Sequence, residues 1–291
     1  MELMDLHTHT TASDGSLTPA ELVAAARAAG LKAVAVTDHD TTAGLDEALA
    51  AGAEPGLQVV PGVEISVEAG LAGGVHVVGL FVEHHHPPLT AALERLQRAR
   101  ARRNPRMVER LNHLGIPVTL EEVAAFAGGD LISRAHFAQA LVARGVVASR
   151  KEAFSRYLGA GKPAYVPKQR LSPQEAIALL RRAGAVPILA HPGLLPLERG
   201  PLEELVQRFR EMGLEGLEAH YSEHDRPTRL WLERLAARLD LVVSGGSDFH
   251  GRAKPDIALG RGKGDLAVPL ALLRAIAERR DRIRRQAGGP P

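Results

Sequence analysis

Leu3-Met4-Asp5-Leu6-His7-Thr8-His9 and, some two dozen residues on, Ala33-Val34-Ala35-Val36-Thr37-Asp38-His39-Asp40 are short apolar runs that each end in side chains able to hold a metal. Between them Thr18 precedes Pro19, with Glu21 following, then apolar Leu22 and Val23, and a stop at Gly30. Thr18 and Glu21 fit a capping box, and Pro19 takes the first helical position, where its missing N–H leaves nothing unpaired. The stretch reads strand, helix, strand, the unit of a parallel sheet.

The same grammar returns downstream. Ser172, Pro173 and Glu175 open a second helix with Ile177, Leu179 and Leu180 on its apolar face and Gly184 at its end. Further strand candidates are Gln58–Ile65, Val75–Val82, Val186–Ala190, Gly216–Ala219 and Leu241–Ser244. This alternation predicts an α/β fold, and it fits an open sheet as well as a closed barrel. From about residue 94 the strands stop, and Leu93–Leu114, Leu120–Ala127, His136–Arg144 and Lys151–Leu158 read as helices broken at Gly128-Gly129 and Gly159-Ala160-Gly161. The expected organisation is a domain of residues 1–93 and 170–291 with a helical insert, residues 94–169, capping one mouth.

Composition narrows the function classes. Apolar residues at 45% and charged residues at 24% describe a globular chain rather than a disordered one. Lys and Arg exceed Asp and Glu by only two, so charge alone implies no nucleic-acid partner. The chain has no cysteine, which removes disulfides, thiolate metal sites and Cys nucleophiles together and leaves a metal to N and O ligands. The polar start and the lack of a long apolar stretch predict a cytoplasmic protein with no membrane contact. With aromatics at 3%, an extended base-stacking surface is not expected, so any nucleic-acid substrate should be short. The Arg-rich run Arg95–Arg110 reads as a solvated helix face or, in the alternative, as a guide for a short oligonucleotide through phosphate attraction, and His84-His85-His86 before Pro87 as a solvent loop.

The candidate strands carry a common signature. At or near their ends, or within them, stand His7 and His9, Asp38 and His39, Glu64, His76, His191, His220, Asp248 and His250, with Asp14 shortly after the first strand. Parallel α/β barrels assemble sites where strand ends converge, and imidazoles mixed with carboxylates suit hard or borderline divalent ions. Residues two apart in an extended segment project to one side, so His7 and His9 can reach one ion.

Asp5-Leu6-His7-Thr8-His9, Ser13-Asp14-Gly15, Thr37-Asp38-His39-Asp40, Pro61-Gly62-Val63-Glu64, His76, Ala190-His191-Pro192 and Ser247-Asp248-Phe249-His250 together resemble the motifs of the polymerase and histidinol phosphatase (PHP) family. The resemblance implies a distorted (β/α)7 TIM-like barrel around two or three divalent ions, Mn²⁺ foremost, with Zn²⁺ or Fe²⁺ as alternatives. It implies His7, His9, Glu64 and Asp248 on one ion, Glu64 with His76 and His191 on a second, and Asp14 with His39 and His250 on a third. Ser133-Arg134-Ala135-His136-Phe137 resembles the branch that removes the 3′-phosphate from nucleoside 3′,5′-bisphosphates and trims short RNA from its 5′ end, which implies Arg134 and His136 as phosphate ligands. Without that resemblance the segment reads as a helix start with a surface Arg and a buried His.

His220, just after a strand, is expected at the mouth as a phosphate contact or as proton donor to the leaving alkoxide, beside Glu64 and Asp248 as the other catalytic residues. The expected reaction is attack on phosphorus by a metal-bridging hydroxide, on a nucleotide or short oligonucleotide. A phosphatase for another small monoester such as histidinol phosphate, a C–N hydrolase and a non-catalytic structural PHP module are the alternatives.

Overall fold

The computed structural model describes residues 2–71, 74–129, 131–286 and 288. The opening unit folds as its residues dictate. β1 (Leu3–Asp5) leads to α1 (Pro19–Ala28), whose capping box between Thr18 and Glu21 is formed, and then to β2 (Ala33–Val36), parallel to β1. α2 (Leu45–Ala51) and β3 (Gln58–Val67) continue the pattern, β3 parallel to β2.

β4 (Val75–Leu80) breaks it, pairing antiparallel with β3 and also with β5 (Val186–Leu189). Only residues 68–74 join β3 to β4, whereas a parallel return needs a crossover of about a dozen residues or more, so the chain turns back on itself. This reversal departs from the parallel βα units around it and has a functional effect. His76 stands at the beginning of β4, yet in a reversed strand that is the end where the parallel strands finish.

Between β4 and β5 lie α3 (Pro87–His113), α4 (Leu120–Ala124), α5 (Arg134–Ala143), α6 (Arg150–Ala153) with a π turn continuing to Leu158, and α7 (Pro173–Arg182). Met107, Leu111, Val123, Phe137, Leu141 and Leu158 pack in a cluster of their own. After β5 come α8 (Arg199–Glu211), β6 (Gly216–Tyr221), α9 (Arg226–Arg238), β7 (Val242–Gly246), the two-residue β8 (Val268–Pro269) and α10 (Ala271–Gln286). Among the described residues no helix is long and apolar enough to cross a membrane.

The sheet order β7-β6-β5-β4-β3-β2-β1-β8 nearly closes on itself. At and beyond the ends of β1 and β7, Leu6 N–H donates to Gly245 O at 3.1 Å, Asp248 N–H to His7 O at 2.8 Å and His9 N–H to Phe249 O at 2.9 Å. Gly246 makes this seam possible, because a Cβ there would fall 2.3 Å from His7 N. Alternation along β2 sorts the core: Val34 and Val36 join the cluster shared with the outer helices, while Ala33 and Ala35 join Met4, Val60 and Ile188. Ile276 and Ile283 of α10 belong to that second cluster, along with Val186 and Val242 at the starts of their strands. α10 thus covers the end where strands begin and leaves the opposite mouth for the site. Each fully buried Leu or Ile in these layers contributes about 1.5–3 kcal/mol.

Candidate metal centre and phosphate cavity

Thr8 decides where its neighbours point. Its Oγ1 donates to Ala35 O at 2.5 Å and its N–H to Thr37 Oγ1 at 3.1 Å, so its side chain faces β2 while His7 and His9 project together to the other side. Asp38 fastens the loop that follows: its carboxylate accepts from Thr10 N–H (2.8 Å), Thr10 Oγ1 (2.6 Å) and Ser13 Oγ (2.5 Å), holding Asp14 near His250. Asp248 and His191 reach the mouth from left-handed backbone, φ 58° and 33°, a conformation Asp tolerates better than most residues.

Glu64 is the hub. Its Oε1 lies 2.8 Å from His76 Nδ1 and 3.1 Å from His191 Nε2, and its Oε2 lies 2.8 Å from His39 Nδ1, 3.3 Å from His9 Nε2 and 3.4 Å from His7 Nε2. Asp248 Oδ1 is 3.2 Å from His9 Nε2 and 3.8 Å from His7 Nε2, while Asp14 Oδ1 is 3.4 Å from His250 Nε2. The ligand atoms of His7, His9 and Asp248 lie within 4.8 Å of one another, as do those of His39, Glu64 and His76, and those of His9, Asp14, His39 and His250. His9 and His39 each belong to two of these groups, so the three sets share a single continuous cluster.

Short as these distances are, His7 Nε2, His9 Nε2, His39 Nδ1 and Glu64 Oε2 are buried and make no hydrogen bond among the described residues. Four such atoms facing one another are costly unless a further group satisfies them, and a divalent cation is the group that imidazole lone pairs and a carboxylate satisfy together. The carboxylates are ready for it. Burial works to raise Glu64 and Asp248, yet His39 and His76 beside the first, and Lys254 and His250 beside the second, hold both well below the usual carboxylate range. Burial, with His250 and His39 nearby, lowers His9 to about 3, and burial lowers His76 to about 4 despite Glu64, which leaves both rings with free lone pairs at neutral pH.

Two members of the surroundings escaped the sequence reading. Glu218 on β6 accepts from His7 Nδ1–H at 2.9 Å and from His191 N–H at 2.6 Å, which turns His7 Nε2 toward the cluster. Tyr221 donates to Asp248 Oδ2 at 2.9 Å; burial and the Asp248 carboxylate push its phenol far up, so it remains a donor. His220 lies between them and does not join them. The β6–β7 register shifts between Glu218 and His220, and this bulge reverses the alternation, so that Tyr221 faces the site while His220 Nε2 turns to Glu233 on α9, 3.0 Å away. The expected catalytic and phosphate-binding position of His220 is therefore corrected.

Beside the cluster opens a cavity of about 300 Å³ whose wall includes Asp14, His39, His76 and His250 on one side and Arg100, Arg103, Arg134, Arg150, Lys168 and Arg170 on the other. Arg134 is brought there, its guanidinium 5.7 Å from the Phe154 ring and 5.4 Å from that of Tyr165. His136 is not: its Nδ1 accepts from Ser133 N–H at 3.1 Å, closing the capping box of α5 in a fully buried position. The cap occupies Nδ1, which leaves Nε2 for the phosphate contact expected of His136.

Arg100 and Arg103 belong to the run read as solvated, yet both are buried. They share the stripe of Leu89, Leu93, Leu96, Met107 and Leu111 at helical three-and-four spacing, a signal the sequence did contain. Arg100 and Lys168 meet on Asp40 Oδ2, Lys168 at 2.9 Å, whereas Arg103 and Arg134 face no carboxylate within salt-bridge distance among the described residues. Burial lowers Arg103 to about 9 and, despite Asp40, lowers Lys168 to about 8. Away from this mouth, His84 and His85 both contact Asp46 Oδ1, at 2.8 and 3.0 Å.

Comparison with known proteins places this geometry. The PHP domain family matches residues 5–118. The chain is 39% identical over 246 residues to the 5′-3′ exoribonuclease of Haemophilus influenzae, covering 84% of this chain and 89% of that protein. It is 38% identical over 253 residues to the 3′,5′-nucleoside bisphosphate phosphatase of Chromobacterium violaceum, covering 86% of this chain and 88% of that one. A solved structure from Bifidobacterium adolescentis, described as a metal-dependent phosphoesterase, superposes with a TM-score of 0.84 at 36% identity over 96% of both chains.

Proposed function

The chain belongs to the PHP family, and from that premise we propose that it is a metal-dependent phosphoesterase that removes the 3′-phosphate of nucleoside 3′,5′-bisphosphates and cleaves short 5′-phosphorylated RNA at its first linkage. The observation that carries this reading is the adjacency of a carboxylate–imidazole cluster and a cavity walled by Arg103 and Arg134. A nucleotide with phosphates at both ends of one ribose offers one to each. The two substrates then share a geometry, since the first nucleotide of a 5′-phosphorylated RNA is a bisphosphate whose 3′-phosphate carries the rest of the chain.

In this reading His7, His9, Glu64 and Asp248 hold one ion, Glu64, His76 and His191 a second, and Asp14, His39 and His250 a third, with Mn²⁺ the first choice. Such ions, when bound, acidify water and withdraw charge from phosphoryl oxygens. The protein's own groups do the rest. Glu218 orients His7 and steadies the His191 backbone, Tyr221 and Lys254 hold Asp248 ionised in one rotamer, and Arg100, Arg103, Arg134 and Lys168 fix the 5′-phosphate through charge-assisted hydrogen bonds. Residues 94–169 act as the cap that supplies this cationic wall.

The test is phosphate release by Mn²⁺-loaded protein from adenosine 3′,5′-bisphosphate, AMP and histidinol phosphate, run in oxygen-18 water. The bisphosphate should be preferred, with label entering only the released phosphate. Label in the nucleoside product, or a preference for histidinol phosphate, would refute the reading.

A further inference from the structure

The phosphate cavity does not end at Arg150. That side chain also lines a second hollow, of about 640 Å³, with Thr11, Phe126, Gln139, Arg252 and Ala253 among its other walls. Phe126 is 40% exposed, an unusual state for a large apolar ring in a chain with few aromatics. Its place is set by contact with the metal loop. Gly128, two residues on, lies so close to Thr11 that a Cβ would fall 2.5 Å from the Thr11 side chain, and Thr11 is two residues past His9. The Arg150 guanidinium is tied to the Ala253 carbonyl, the Arg252 backbone N–H donates to Ser16 Oγ at 2.8 Å, and both arginines line the hollow between cluster and ring. A third hollow meets the phosphate cavity at Arg100, but its walls offer Leu120, Leu131 and Ile132 and no aromatic ring among the described residues.

Resting on the phosphoesterase reading above, we propose that the hollow at Phe126 is the subsite for the second nucleotide of a 5′-phosphorylated RNA. Its base stacks on the Phe126 ring, and Arg150 and Arg252 receive the phosphates on either side of it. The chemistry requires such a place. Water oxygen bonds to the phosphorus, the bond from phosphorus to the first nucleotide's O3′ breaks, O3′ takes up a proton, and the phosphate stays on the second nucleotide as its new 5′ end. A bisphosphate lacks that nucleotide and yields inorganic phosphate, so it never uses the hollow. A ring that stacks any base suits a site with no sequence preference.

The experiment compares three substrates with Mn²⁺-loaded protein: adenosine 3′,5′-bisphosphate, a 5′-phosphorylated RNA trimer, and that trimer made abasic at its second residue. Phe126→Ala and Arg252→Gln should each lower kcat/KM on the trimer about tenfold and leave the bisphosphate rate unchanged. The abasic trimer should be about tenfold poorer for the unmodified protein and no poorer still for Phe126→Ala. Unchanged trimer rates in both variants, or equal losses on trimer and bisphosphate, overturn the subsite. Hydrolysis of the bisphosphate but not of the trimer overturns the subsite and the RNA half of the proposed function, whereas hydrolysis of neither overturns the phosphoesterase reading as a whole.

Discussion

On the barrel side of the mouth, Glu64 and Asp248 are buried carboxylates ringed by imidazoles; on the helical side, buried Arg103 and half-buried Arg134 have no carboxylate within salt-bridge distance among the described residues. The first wall offers carboxylate and imidazole lone pairs, with Lys254 on Asp248, and the second offers guanidiniums, with Arg100 and Lys168 on Asp40. Burying a charge without a full set of partners costs several kcal/mol, so a divalent ion on the first wall and a phosphate on the second would each add stability. The barrel wall is set by backbone, with ligands on strand ends and tight turns, and the helical wall by long side chains on α3 and α5. In the proposed function the first governs chemistry, and the second governs which phosphate ester is held.

The largest effect should come from the barrel wall. Glu64→Gln or Asp248→Ala should lower kcat about a thousandfold or more on every substrate, together with loss of bound Mn²⁺ measured by metal analysis. A retained metal complement with full activity would separate the cluster from the chemistry. On the helical wall, Arg103→Ala should raise KM for the bisphosphate about 10- to 100-fold, the worth of a charged hydrogen bond, while barely changing KM for a 3′-monophosphate. If both substrates suffer alike, the two walls are not divided in this way. Glu218→Gln should weaken metal affinity about 10- to 100-fold, read by titration with chelator, without moving the metal-saturated KM.

Lys168 makes the division visible in pH. Its ammonium is intact below about 8 and is lost as pH rises through that value, so kcat/KM on the bisphosphate should fall about fivefold between pH 7.5 and 9. A bound phosphate favours the charged form, so kcat should break at a higher pH than kcat/KM. Lys168→Arg should remove the break. The smallest effect belongs to His220→Asn, which should leave kcat and KM within about twofold, since the ring faces Glu233; a loss of kcat would restore His220 to the site.

The barrel wall was the more legible of the two in sequence. His7, His9, Glu64, His76, His191, Asp248 and His250 could be read because a strand end fixes direction within a residue or two, and they do converge. What lay beyond that rule was harder. The bulge in β6 exchanged the expected His220 for Glu218 and Tyr221, and a bulge leaves no mark in residue type. The reversal of β4 could have been inferred from a connection too short for a crossover helix. On the helical wall, Arg100 and Arg103 were hidden by their number of arginine neighbours, although their spacing with Leu96 and Met107 placed them on the buried face of α3. At His136 the plainer reading, a helix start with a buried ring, is visible in the cap that its Nδ1 closes.

The division between the walls is tested most directly by comparing kcat/KM for adenosine 3′,5′-bisphosphate and adenosine 3′-monophosphate, in the Mn²⁺-loaded protein and its Arg103→Ala variant. The bisphosphate should lead by about tenfold or more in the unmodified protein, with the lead largely lost in the variant. Equal rates on the two nucleotides in the unmodified protein would contradict a cationic wall that recognises the second phosphate.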